Sequence, residues 1–230
     1  MHFHLPKPLH GWRALAGEVG IIVLGVLIAL AAEQTVERLH WQSEARDFRR
    51  AVNHELSMDL VIYEMNQRQQ PCTKRRLEEL QSYLDRSRDG ATVQLSGKIG
   101  EPLWMGQYRS VWDNKDPQVI ARIPVEERLK YAALYDEFRL NAGIAQAQTD
   151  IWHKFVPFEE PGPLTLQDRR QLHSLISQAR NLSSALDMNW PGTVKEAHDL
   201  GIKPEYPREW PDIRPYIARF DVCRTILNSS

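Results

Sequence analysis

The chain has 230 residues, with 29 basic side chains against 30 acidic ones and a formal net charge of −1. Acids and bases are interleaved along it, which leaves no electrostatic footprint for nucleic acid. It also lacks the GxSxG, GxxxxGK, HExxH, CxxC and GxGxxG patterns that mark common catalytic and nucleotide sites, so no catalytic residue and no cofactor is expected.

Residues 1–13 read as a short tail holding Lys7, Arg13 and three histidines, with no acid before Glu18. A membrane helix follows over 14–32. Its strictly uncharged run, Val19 to Ala32, spans roughly 21 Å, short of a hydrocarbon core of about 30 Å. Extending back to Ala14 gives roughly 28 Å and admits Glu18 near one end, where an acid can reach the headgroups. A cleaved signal peptide is the rival reading, since Ala29-Leu30-Ala31 offers a small-x-small site. Glu18 at the opening of the run, and a helical pattern continuing unbroken from Glu33 to Met65, favour an uncleaved anchor. Lys and Arg set topology, and Arg38 and Arg46 beyond the span nearly balance Lys7 and Arg13. The acid-free tail points to an N-terminus in the cytoplasm and a main domain, 33–230, in the periplasm.

Gly17-Glu18-Val19-Gly20-Ile21-Ile22-Val23-Leu24-Gly25-Val26-Leu27-Ile28-Ala29-Leu30 resembles the opening helix of bacterial single-pass membrane proteins of unknown function, which share a GE(I/V)xxIVxG(I/V)LIAL pattern followed by a long polar helix. The resemblance covers about the first quarter of the chain. It implies a bacterial membrane protein and brings no catalytic residue with it; with the topology above, the inner membrane is the expected place.

Glu18, Ile22, Gly25, Ala29 and Ala32 recur at helical spacing, so one face carries an acid and then small residues. Such a face lets another helix approach closely, which makes it a candidate surface for self-association or for a membrane partner. The plainer reading is that Glu18 snorkels and the glycines are merely tolerated. The lipid bilayer is the partner this segment demands.

Beyond the span the pattern is all-α. Trp41, Ala45, Phe48, Val52, Leu56, Leu60 and Tyr63 draw one stripe, so the membrane helix should continue out of the bilayer until Gln69-Gln70-Pro71 breaks it. A second helix is expected over 73–87 through Leu77, Leu80 and Leu84. Residues 91–123 read as an irregular insertion, with a short helix around Leu103 to Trp112. Helical periodicity resumes from Pro124, a first-turn proline, to about Phe155. Thr165 and Asp168 cap a further helix to about Trp190, after which Pro191-Gly192 should kink or stop it, and 193–201 could form one more. The C-terminal segment interleaves Pro204, Pro207, Pro211 and Pro215 with Tyr206, Trp210 and Tyr216. It should run extended over the domain surface, with a sugar-stacking platform as the alternative.

Cys72 and Cys223 are the only cysteines. Two buried thiols is the favoured reading, and a bridge the alternative that an oxidising compartment would permit. Glu37-x-x-His40 and Asp150-x-x-His153 have spacings used in di-iron bundles but lack the companion glutamates, so no metal is expected. Trp104, Trp112, Trp152 and Trp190 with Tyr108, Tyr131, Tyr135 and Phe138 read as core; were they to line a pocket, Arg109 or Arg139 would anchor an anion in it.

Three function classes stand. A non-enzymatic, membrane-anchored interaction or scaffold module comes first. A periplasmic ligand-sensing bundle is the alternative; with a 13-residue tail it would have to signal through a partner. An unrecognised hydrolase or metal enzyme is third.

Overall fold

The computed structural model describes residues 11–208, 217 and 219–227. Among them there is no strand, and the helices are α1 (Trp12–Arg86), α2 (Ser110–Asp113), α3 (Pro117–Ala121), α4 (Val125–His153) and α5 (Leu166–Asp199). Helix α1 runs 75 residues without a break, roughly 112 Å at 1.5 Å per residue. Its N-terminal part is one long apolar helix, none of it buried, and is a candidate membrane span. Its remainder is the central helix of the bundle.

The expected break at Pro71 is therefore corrected, and the separate second helix is the upper part of α1. A proline inside a helix removes one hydrogen bond and clashes with the carbonyl four residues back. Here Pro71 lies on the exposed side of α1. The glutamines before it are buried and occupied: Leu103 N donates to Gln69 Oε1 at 2.5 Å, Gln70 Nε2 donates to Asn66 Oδ1 at 3.1 Å, and Ser183 Oγ donates to Gln70 Oε1 at 2.6 Å. Tertiary partners on both sides hold the helix through its weak turn. Helix α5 likewise passes through Pro191 and absorbs the residues expected to form another helix. It starts as expected, with Thr165 Oγ1 accepting from Asp168 N and the Asp168 carboxylate accepting from Thr165 N. Pro124 is the cap of α4 and not its first helical residue.

Two core clusters fix the directions of the helices. Toward the apolar segment, Val52, Leu56, Leu60 and Tyr63 of α1 pack with Tyr131, Leu134, Tyr135 and Phe138 of α4 and with Leu186 and Ala197 of α5. At the far end, Leu77, Leu80, Tyr83 and Leu84 pack with Ile151, Trp152, Leu172, Ile176 and Ala179. So α1 and α4 run up from the end nearer the apolar segment and α5 runs back down.

Two irregular straps cross α1 between these helices. Descending from the far end, Ile99 sits in the upper cluster, Met105 in the lower one, and Val119 and Ile123 on Ala45 below it. Only Ser110–Asp113 of the short helix expected around Leu103 to Trp112 is helical, because the backbone groups before it bond to α1 side chains instead. The C-terminal strap climbs back: Glu205 N donates to Ser57 Oγ at 2.8 Å, Tyr206 OH donates to Glu64, Ile217 packs on Val61 and Met65, and Val222 and Ile226 reach the upper cluster. Trp210, Pro211, Pro215 and Tyr216 lie outside the described residues.

The straps meet α1 at a lock near its upper end. The Arg76 guanidinium, 0% exposed, donates to Lys98 O at 2.8 Å, Asp221 O at 3.0 Å, and the carbonyls of Ile99 and Arg224, while its Nε pairs with Glu79 at 2.9 Å. Cys72 and Cys223 form a disulfide beside it, with Cα atoms 4.7 Å apart, in place of the favoured pair of free thiols. Gly100, at φ +68°, lets the straps touch: a Cβ there would lie 2.6 Å from Val222 N.

Candidate functional site

The residues singled out on the apolar segment of α1 are all on open surface. Glu18, Ile22, Gly25, Ala29 and Ala32 are exposed, and a Cβ added at Gly17, Gly20 or Gly25 would meet nothing within 4 Å. Nothing in the described fold covers this face.

Arg109 and Arg139 do not converge on a pocket. Arg109 forms a two-pronged pair with Asp113, both contacts 2.9 Å, and this hydrogen-bonded partner raises its pKa. Arg139 pairs with Asp136 at 2.9 Å on the surface. The aromatic residues pack on one another: Trp112 stacks on Tyr135 with centroids 5.0 Å apart, Tyr63 meets Trp190 edge-on at 4.9 Å, and Trp152 meets Phe155 at 5.4 Å. Trp104 and Tyr108 are instead exposed and not core, with Trp104 Nε1 donating to Gln146 at 2.9 Å. His153 faces Glu101 at 2.8 Å on the surface, and no group of three or more metal-binding side chains gathers among the described residues.

A concave site does form where α1 leaves the apolar segment. A groove of about 380 Å³ is lined by Arg38, Trp41, Gln42, Ala45, Arg46 and Arg49 of α1 and by Arg122. The α1 residues share one face because they recur every three or four positions. Arg122 arrives from the end of α3, which Asp116 caps by accepting from Gln118 N at 2.7 Å. Val119 and Ile123 then seat that segment on Ala45, with Trp41 and Phe48 packed alongside. This places the Arg122 guanidinium over the Trp41 ring, 5.1 Å from its centroid, a cation–π contact. Trp41 is held from the other side by donating its Nε1 to Glu37 at 3.2 Å.

The charge in the groove is largely unmatched. Arg49 is neutralised by Glu127 through contacts of 2.6 and 2.9 Å, and that hydrogen bond raises its pKa. Arg46 spends only its Nε, on Gln42 O at 3.2 Å. Arg38, Arg46 and Arg122 have no carboxylate partner among the described residues, and no acid lines the groove. Guanidinium donors around an aromatic floor suit a phosphate or carboxylate, which they can grip with two parallel hydrogen bonds. The α1 part of this set was legible as a stripe at 38, 42, 46 and 49. Arg122 was not, because only tertiary packing brings it across.

A second polar cluster lies inside the bundle. Glu55 is buried and accepts from Tyr135 OH at 2.5 Å, Ser110 Oγ at 3.1 Å, Val111 N at 3.0 Å and Trp112 N at 3.3 Å. One turn on, Asp59 accepts from Tyr108 N at 2.7 Å through Oδ1, and its other oxygen is buried without a partner. Burial, reinforced by the Glu55 charge and opposed by the Tyr108 hydrogen bond, pushes the Asp59 carboxyl up to about 8. Through these contacts Glu55 and Asp59 hold the descending strap against α1.

Compared with known proteins, the chain matches no family model, no curated protein and no solved structure.

Proposed function

We propose that this chain is a non-enzymatic, membrane-anchored interaction or scaffold module of a bacterial inner membrane, with its N-terminus in the cytoplasm and its helical domain in the periplasm. The observation that carries this reading is the continuity of α1. A single helix supplies both the exposed apolar segment and the central stripe of the bundle, so anything that pairs with the segment in the bilayer sets the orientation of the whole domain. The uncovered face of Glu18, Gly25, Ala29 and Ala32 supports a pairing role, since small residues allow close backbone approach.

Crosslinking in membranes tests it. The native chain is expected to give oligomers or a partner adduct that Gly25→Leu abolishes and Glu18→Gln weakens. Identical adducts in all three chains would sink the reading. A ligand-binding bundle is the second reading, and the arginine groove is what favours it.

A further inference from the structure

We propose that the groove between α1 and Arg122 binds a phosphate-bearing group, presented by the headgroup of an anionic lipid. Four arginines line it, and three of them lack a carboxylate partner among the described residues. Like charges held together without counter-ions repel one another, so an anion is the species that relieves the arrangement. The groove volume of about 380 Å³ falls within the range of about 300–1,000 Å³ typical of small-ligand sites. Arg122 and Trp41 hold each other in place, so part of the ordering cost is met before the ligand arrives.

Height along α1 points to lipid as the source. Arg38 lies roughly 9 Å beyond Ala32 at 1.5 Å per residue, within side-chain reach of the headgroup layer, and Trp41 sits one turn further out. Arg46 and Arg49 stand higher, so a headgroup with its phosphate at Arg38 could extend upward toward Arg122. This step rests on the membrane reading of α1; phosphate binding by the groove does not.

The full chain in neutral detergent is titrated with phosphatidylglycerol or phosphatidylcholine and read by native mass spectrometry. Inorganic pyrophosphate is titrated separately by calorimetry. Arg38→Gln/Arg122→Gln is the test variant, with circular dichroism melting to show that it folds. Arg50→Gln/Arg139→Gln, two surface arginines outside the groove, is the control. The native chain and the control are expected to retain phosphatidylglycerol about tenfold more tightly than phosphatidylcholine, and the test variant to lose that preference. Equal retention by the test variant and the native chain overturns the groove as the site. Pyrophosphate binding that the test variant loses, with no preference between lipids, overturns the lipid source and leaves a soluble phosphate ligand. Binding of neither overturns the proposal. Carbonate extraction of native membranes reports separately on the anchor, so a failed span and a failed groove give different results.

Discussion

Placing Glu55 and Asp59 one turn apart on the buried side of α1 brings two carboxyl groups into a region with few charges to balance them. Glu55 is supplied with four donors and Asp59 with one, so Asp59 is the group that keeps its proton. An acid whose pKa is raised by folding costs stability as pH rises. Below the unfolded value of 3.8 both states hold the proton, and between there and about 8 only the folded chain does, so stability falls across that window. Asp59→Asn keeps an acceptor for Tyr108 N and puts a neutral amide where the unpartnered oxygen lies. It is expected to stabilise the fold at pH 7–8 by about 1–3 kcal/mol and to flatten the decline between pH 4 and 8, as read from thermal melts across pH. An unchanged decline in the variant would show that Asp59 is ionised in the fold across that range. Sequence alone gives no hint of this pair, because Glu55 and Asp59 look like ordinary polar positions beside an apolar stripe.

At the level of the helix, periodicity carries most of the fold and proline misleads. The stripe from Trp41 to Tyr63 and the repeats in α4 and α5 are as expected because apolar spacing reports directly on the buried face. Local rules predict a break at Pro71 and a kink or stop at Pro191 because they count the lost hydrogen bond and do not include what holds the chain on either side. Leu186 O, just over a turn before Pro191, accepts from Tyr63 OH at 3.3 Å and Gln67 Nε2 at 3.2 Å, so α1 serves the backbone where α5 is weakened. Asp187, whose carbonyl loses its donor to Pro191, is tied through its side chain to Lys74 at 2.5 Å. Both prolines are exposed, so an alanine at either position removes no buried side chain and restores the N–H that a helix uses. Pro71→Ala and Pro191→Ala are each expected to raise stability by about 1–3 kcal/mol in denaturant unfolding. A loss of stability in either would mean that the local bend seats α1 against α5.

Across the whole molecule, the irregularity of the two straps is legible in the sequence, while the partners that hold them are not. Residues 91–123 and 202–227 carry no helical period, and where they are described their backbone is held by polar side chains of α1, from Glu55 and Ser57 up to Gln69 and Arg76, each answering a backbone group 22 to 148 residues away. Such long-range partners leave no local pattern. Arg76 and the Cys72–Cys223 disulfide fasten both straps at the end remote from the apolar segment, across a sequence separation of 151. Closing a loop of that size is worth about 5 kcal/mol by the chain-entropy account, and because the Arg76 contacts depend on the same strap, opening the bridge should loosen both. Cys72→Ala/Cys223→Ala is therefore expected to lower stability by several kcal/mol, on the order of that estimate, and to leave the lower cluster around Tyr63 and Phe138 the more protected part in hydrogen exchange. The bridge also reports orientation, since it persists only where the compartment is oxidising. Alkylating intact cells before lysis should give a mass shift on the two cysteines only after reduction, together with a C-terminal reporter active outside the cytoplasm. Cysteines alkylated without reductant, with a reporter active only in the cytoplasm, would reverse the proposed topology and turn the arginine groove toward the cytoplasmic leaflet.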